Sequence, residues 1–176
     1  MKKLSLKQLI AAVMTITLVI FIGASVSVAG ETIKVGGKIT AVYTEKHEIE
    51  VGDVEGHIIS FTTSEGTNTS TGESQFLDGG QATNYSLGDM VKGNGPQHGY
   101  VKLMMGEDGA VSKWKHNVVT TFAEDGTPSI AFEGKFTYSG GMGPFANISG
   151  GGEYRGAFVS KTEYVVEWHG EYSLGE

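Results

Sequence analysis

Trp114 and His116 stand two residues apart in a stretch of alternating character, which puts an imidazole on a face that is otherwise apolar. Val118, Thr120 and Phe122 share their parity, while Lys113, Lys115 and Asn117 take the other. A titratable ring among aromatic side chains can pass a proton to or from a bound oxygen. It can equally be a core group hydrogen-bonded to a tyrosine or a carbonyl, which is its ordinary use. Tyr154 and Tyr164 are the hydroxyls whose parity suits either role. With Phe132 and Trp168 they complete the set Trp114, His116, Phe132, Tyr154, Tyr164 and Trp168, the candidate lining of a site for a small apolar or ring-shaped ligand. The same aromatic face read without a ligand is simply core.

A second constellation is Glu163, Glu167, His169 and Glu171 on the polar face of the last alternating stretch. A metal needs three or four convergent ligands. A Glu-x-His stripe reads instead as a solvated face, with Glu133 and Lys135 as its expected cross-strand ion partners. If that stripe turned inward, the assignment of the site would invert. His98 is expected near a turn, and His47 and His57 at strand edges. No nucleophile elbow, phosphate loop or dinucleotide fingerprint is present, so no motif fixes a catalytic set. Neither a cofactor nor a metal is expected.

These residues must be held by strands. Period-two alternation runs from Thr32 to the end, and no amphipathic helix of useful length interrupts it. About eight strands are expected, spaced 10–15 residues apart and joined by Gly-rich turns such as Gly93-Asn94-Gly95-Pro96, Glu107-Asp108-Gly109 and Glu124-Asp125-Gly126. Residues 63–81, rich in Thr, Ser, Gly and Asn, read as a long polar loop or as strands broken by one. A closed antiparallel barrel and a β-sandwich both fit. Glycines within the strands favour the barrel, which needs bends to close.

Composition narrows the classes. The 176 residues hold 13 Lys+Arg against 20 Asp+Glu, with 27 Gly and no Cys. No Cys means no disulfide, thiolate metal site or thiol nucleophile. The acidic balance excludes a phosphate-tracking nucleic-acid binder; Lys113-Trp114-Lys115-His116 is one short alternation, not a patch. Residues 1–29 carry Lys2, Lys3 and Lys7, an apolar run from Leu9 to Ile22, and Ser27-Val28-Ala29. They are expected to be a signal peptide cleaved after Ala29, with export to a periplasm or the medium. As a helix the apolar run reaches only about 21 Å, short of the ~30 Å of hydrocarbon, so an uncleaved anchor is the weaker reading. Cleavage removes three Lys and no acid, taking the formal charge from −7 to −10 and leaving no stable membrane association. Residues 30–176 then form one domain. Asn-x-Ser sequons occur at Asn68, Asn84 and Asn147 and matter only in a eukaryotic route.

The stretch from Phe136 to Gly156, with Gly140-Gly141-Met142-Gly143-Pro144-Phe145 and then Gly150, resembles the Gly-Gly-x-Gly-x-Phe-x-x-x-x-Gly segment of the dirigent and allene oxide cyclase-like β-barrels. Thr162 to Tyr172 is similar to the closing strand of small exported barrels of that kind. Met142 departs from the pattern, where a small polar residue is usual. The resemblance implies an eight-stranded barrel with a central cavity, Phe145 at its end, and a homodimer or homotrimer. It carries over no acidic catalytic residue. Three functions follow as expectations: an exported barrel binding a small apolar ligand, an isomerase or cyclase that shapes a reactive ligand, or a structural barrel with a filled core.

Overall fold

A computed structural model describes residues 31–122 and 124–175 of the chain. The expected signal peptide lies outside the described residues. Eight antiparallel strands follow one another around a closed barrel, each paired with its sequence neighbours and the last with the first. They are β1 (Ile33–Glu50), β2 (His57–Ser70), β3 (Gln81–Val91), β4 (Gly95–Met105), β5 (Asp108–Phe122), β6 (Pro128–Met142), β7 (Ile148–Phe158) and β8 (Glu163–Leu174). Closure runs from Ile33 opposite Tyr172 to Val42 opposite Glu163. It leaves the barrel wall with no open edge, the general remedy for sheet aggregation.

The aromatic parity faces inward. Trp114, Phe132, Phe136, Tyr164, Trp168 and Tyr172 are all buried, and the Glu167, His169 and Glu171 stripe is exposed. The expected partners of that stripe are corrected by the strand order. β7 lies between β6 and β8, so Lys135 pairs with Glu153 at 3.1 Å and Arg155 with Glu167 at 2.8 Å.

Of the two readings of residues 63–81, strands broken by a loop is the one the fold adopts. β2 runs on to Ser70, and only a ten-residue turn separates it from Gln81. The reason is that β2 and β3 invert the usual pattern. Ser60, Thr62, Ser64 and Asn68 point in, as do Ala82, Asn84 and Ser86, whereas Ile59, Phe61, Tyr85 and Leu87 point out. Two of the sequons therefore have their asparagines inside the barrel.

The turn between β2 and β3 folds back over one end of the barrel. Phe76 and Leu77 plug it, buried against Val35, Leu103, Ile148 and Tyr172. The expected end-plug Phe145, in a short 3-10 turn between β6 and β7, shares this work with its ring centroid 5.2 Å from that of Phe76. At the other end Ala41, Phe132 and Tyr164 pack with Tyr43 and Phe158.

A repeated device sets the inner packing. Trp168 lies across Gly37 on β1, where an added methyl would sit 2.7 Å from the indole. Trp114 covers Gly99 and Phe132 covers Gly156 in the same way. A ring wider than the spacing between strands can lie flat only over a neighbour with no side chain.

β1 leaves the barrel beyond a bulge at Thr44. From Glu45 to Glu50 it pairs with β2 alone. The projecting edge carries Glu45, Lys46, Glu48 and Glu50, charges that discourage further strand pairing. Its tip is tied back by His57, whose ring nitrogens meet Asp53 at 2.6 Å and Asp89 at 2.7 Å. The Asp89 bond and then the Asp53 bond raise the His57 pKa. The stabilisation from this tie is fully present just below the ordinary ~6.5 of an unfolded histidine and is lost as pH rises through the raised value.

Candidate functional site

Between the two packed ends lies a cavity of about 110 Å³. All six sequence candidates, Trp114, His116, Phe132, Tyr154, Tyr164 and Trp168, line it. Of the two tyrosines expected as partners of His116, Tyr154 is the one it meets.

The strand register explains that pairing. His116 lies opposite Gly134, and Gly134 lies opposite Tyr154. With no side chain between them, the phenol leans across and its hydroxyl comes within 2.9 Å of His116 Nδ1. On the other side Gln97, directly opposite on β4, brings Oε1 to 3.1 Å from Nε2. The amide oxygen accepts from Nε2–H, which leaves Nδ1 to accept the Tyr154 O–H. The imidazole is also sandwiched, with ring centroids 4.9 Å from Trp114 and 4.7 Å from Phe132, both nearly parallel to it.

Burial pushes the His116 pKa down to about 4 and the Tyr154 pKa up, so both are neutral at pH 7. The sign of the resulting pH dependence follows. Unfolded, the histidine titrates near its ordinary ~6.5, so the unfolded chain takes up this proton first as pH falls. The stability tied to neutral His116 is intact above that value, drains away toward pH 4, and then levels off. Allowing for the partial exposure of the ring, the loss should be about 2 kcal/mol. His116→Gln, which keeps hydrogen bonding without titration, should lack this component. Urea melts of both proteins at pH 7 and pH 4 check it; equal acid losses would contradict the assignment.

A second polar group was not legible in the sequence. Asn84 Oδ1 accepts the Trp114 indole N–H at 2.8 Å, and its amide donates to the Tyr164 hydroxyl at 3.3 Å. Tyr164 and the Ser64 hydroxyl share a 2.5 Å hydrogen bond. Thr62 and Ser86 pair at 2.8 Å just beyond. At the plugged end Asn68, fully buried, accepts the Trp168 indole N–H at 3.0 Å. It donates to the carbonyls of Phe76 and Leu77, each at 3.1 Å. One sector of the interior, on β2 to β4, is thus polar and internally satisfied, while β5 to β8 and β1 supply rings. Tyr138 is the exception. It lines the cavity, and its buried hydroxyl has no partner among the described residues.

Among the described residues, no Lys, Arg, Asp or Glu contributes to the cavity wall. The exposed stripe of Glu167 and His169 lines a separate groove with Lys38 and Arg155, which meets the cavity wall at Tyr154 and Trp168.

No protein-family model matches the chain, and no curated protein matches it.

Proposed function

We propose that this barrel is exported and holds a small, flat, uncharged ligand in its interior. The observation that carries the proposal is the Tyr138 hydroxyl, unpaired and buried in the wall of an aromatic cavity. A buried donor without a partner costs roughly 1–3 kcal/mol, and a ligand oxygen or nitrogen would recover it. At about 110 Å³ the cavity is smaller than the roughly 150 Å³ that takes benzene, so a single ring is its upper limit and enters with small side-chain shifts. The wall excludes charge, because an ion there would meet no counter-ion. The resemblance of residues 136–156 and 162–172 to the dirigent and allene oxide cyclase-like barrels is consistent with a ligand chamber.

An isomerase or cyclase is the second reading, favoured by the ordered His116–Tyr154–Gln97 group beside the cavity. Magnitudes place it behind binding. A general base works best with a pKa near the operating pH. His116 lies well below it and Tyr154 well above. A reaction here would rest on shape and hydrogen bonding.

Both tryptophans of the chain line the cavity, so their fluorescence reports occupancy. Titration with phenol should perturb the emission saturably, and benzoate should bind at least tenfold more weakly. Ala110→Leu, which fills the cavity, should abolish the response with the fold retained. Tyr138→Phe should raise stability by about 1 kcal/mol and weaken phenol binding by about tenfold. A response that benzoate reproduces, or that survives Ala110→Leu, would defeat the proposal.

A further inference from the structure

The outer face of β1 to β4 is the least expected surface of the molecule. Ile49, Ile59, Phe61, Tyr85, Leu87 and Tyr100 are each 40–69% exposed. They are contiguous: Ile49 lies opposite Ile59, Phe61 opposite Leu87, and Tyr85 opposite Tyr100. Behind them β2 and β3 turn polar residues into the barrel. A strand that buries Thr, Ser and Asn while exposing Phe, Tyr and Leu has two faces to cover, and the barrel interior covers only one. The opposite side of the barrel, on β6 to β8, is by contrast charged and laced with ion pairs.

We propose that this face docks onto the same face of a second copy, about a two-fold axis parallel to the strands. Charge selects both the occupant and the axis. One row across the sheet reads Glu45, Thr63, Tyr85, Tyr100, Lys113. The next reads His47, Phe61, Leu87, His98, Lys115. A third holds Glu65 on β2 and Lys102 on β4. The acids thus stand on the β1–β2 flank and the lysines on the β4–β5 flank of one apolar strip. None of Glu45, Glu65, Lys102, Lys113 and Lys115 has an ion pair among the described residues.

Rotation about an axis along the strands lays β1–β2 of one copy over β4–β5 of the other, so unlike charges meet at both flanks. Rotation about an axis across the strands would oppose like charges. The six side chains expose on the order of 500 Å². With the flanking rows the face approaches the roughly 800 Å² per partner of a standard interface. An isologous contact of this kind closes at two copies. A lipid surface fits less well, since the face lacks Trp and the net charge is acidic.

Sedimentation velocity on the protein expressed from its full coding sequence should show a dimer at tens of micromolar. Phe61→Asp combined with Leu87→Asp should give a monomer that still folds, with a lower thermal midpoint because the two carboxylates stand opposite each other and the partner is lost. Lys113→Glu with Lys115→Glu should weaken self-association at least tenfold. Glu45→Lys with Glu65→Lys should do the same, and mixing the two double variants should restore dimers containing one copy of each. A wild-type monomer, a trimer, a dimer indifferent to these changes, or capture by neutral lipid vesicles in place of dimerisation would each overturn the proposal.

Discussion

Asn68→Ala is expected to lose about 3–5 kcal/mol of stability. Asn68 is fully buried and makes three hydrogen bonds through its carboxamide. Removing it strands the Phe76 carbonyl and the Trp168 indole N–H away from water and leaves the Leu77 carbonyl with the Gly80 N–H alone. Each unsatisfied buried group costs roughly 1–3 kcal/mol. The carbonyls belong to Phe76 and Leu77, so the barrel end loses its fastening at the same moment. Leu77 holds a positive φ of 47°, as does Gln75 at 51°, conformations tolerated only where surroundings enforce them. For a domain of this size the thermal midpoint should fall by about 10–15 °C. Scanning calorimetry provides the number, and hydrogen exchange should show the turn between β2 and β3 losing protection before the strands do. A drop of under about 1 kcal/mol would mean that water replaces the carboxamide and the turn is not fastened there.

Gly134→Ala is the second. The new methyl carbon would stand 2.3 Å from the Lys115 carbonyl oxygen and 2.6 Å from the Tyr154 hydroxyl. The first is backbone, so β5 and β6 must shift relative to each other. The second is the phenol that reaches His116. Overpacking of this sort costs about 1–3 kcal/mol, and the broken His116–Tyr154 bond adds to it. A loss of about 3 kcal/mol is expected, read as a fall of about 10 °C in thermal midpoint. Tyr154→Phe is the control: it removes the hydroxyl alone and should cost only about 1 kcal/mol. If the two variants were equally stable, the strands would have room that this packing denies them.

The strands that bury rings against exposed charge could be read directly from the sequence. In β5 the contrast between Trp114 and Lys115 marks parity, and in β8 Trp168 and Glu167 do the same. β2 hid because its alternation has no hydrophobic contrast in its second half, where Thr62, Ser64 and Asn68 face in and Thr63, Glu65 and Thr67 face out. Where contrast does exist, at Ile59, Phe61, Tyr85 and Leu87, it points the wrong way and mimics a core. The site followed the same rule. Its rings were legible from parity. Gln97 and Asn84 were not, since a polar residue on an inner face is known only once its neighbours are placed. Phe76 arrives from a turn, where no periodicity exists to flag it.

The placement of Tyr154 across Gly134, and of Trp168 across Gly37, also constrains how this gene can change. A ring and the bare backbone beneath it form one heritable unit, so drift at either position is coupled to the other. The mutational path has a direction: the ring must shrink before the hydrogen gives way to a methyl, because the reverse order passes through a clashing intermediate. At position 134 the Lys115 carbonyl blocks a side chain whatever stands at 154, so homologous chains, when aligned, should keep that glycine and lose position 37 as glycine only in lineages where position 168 is already small.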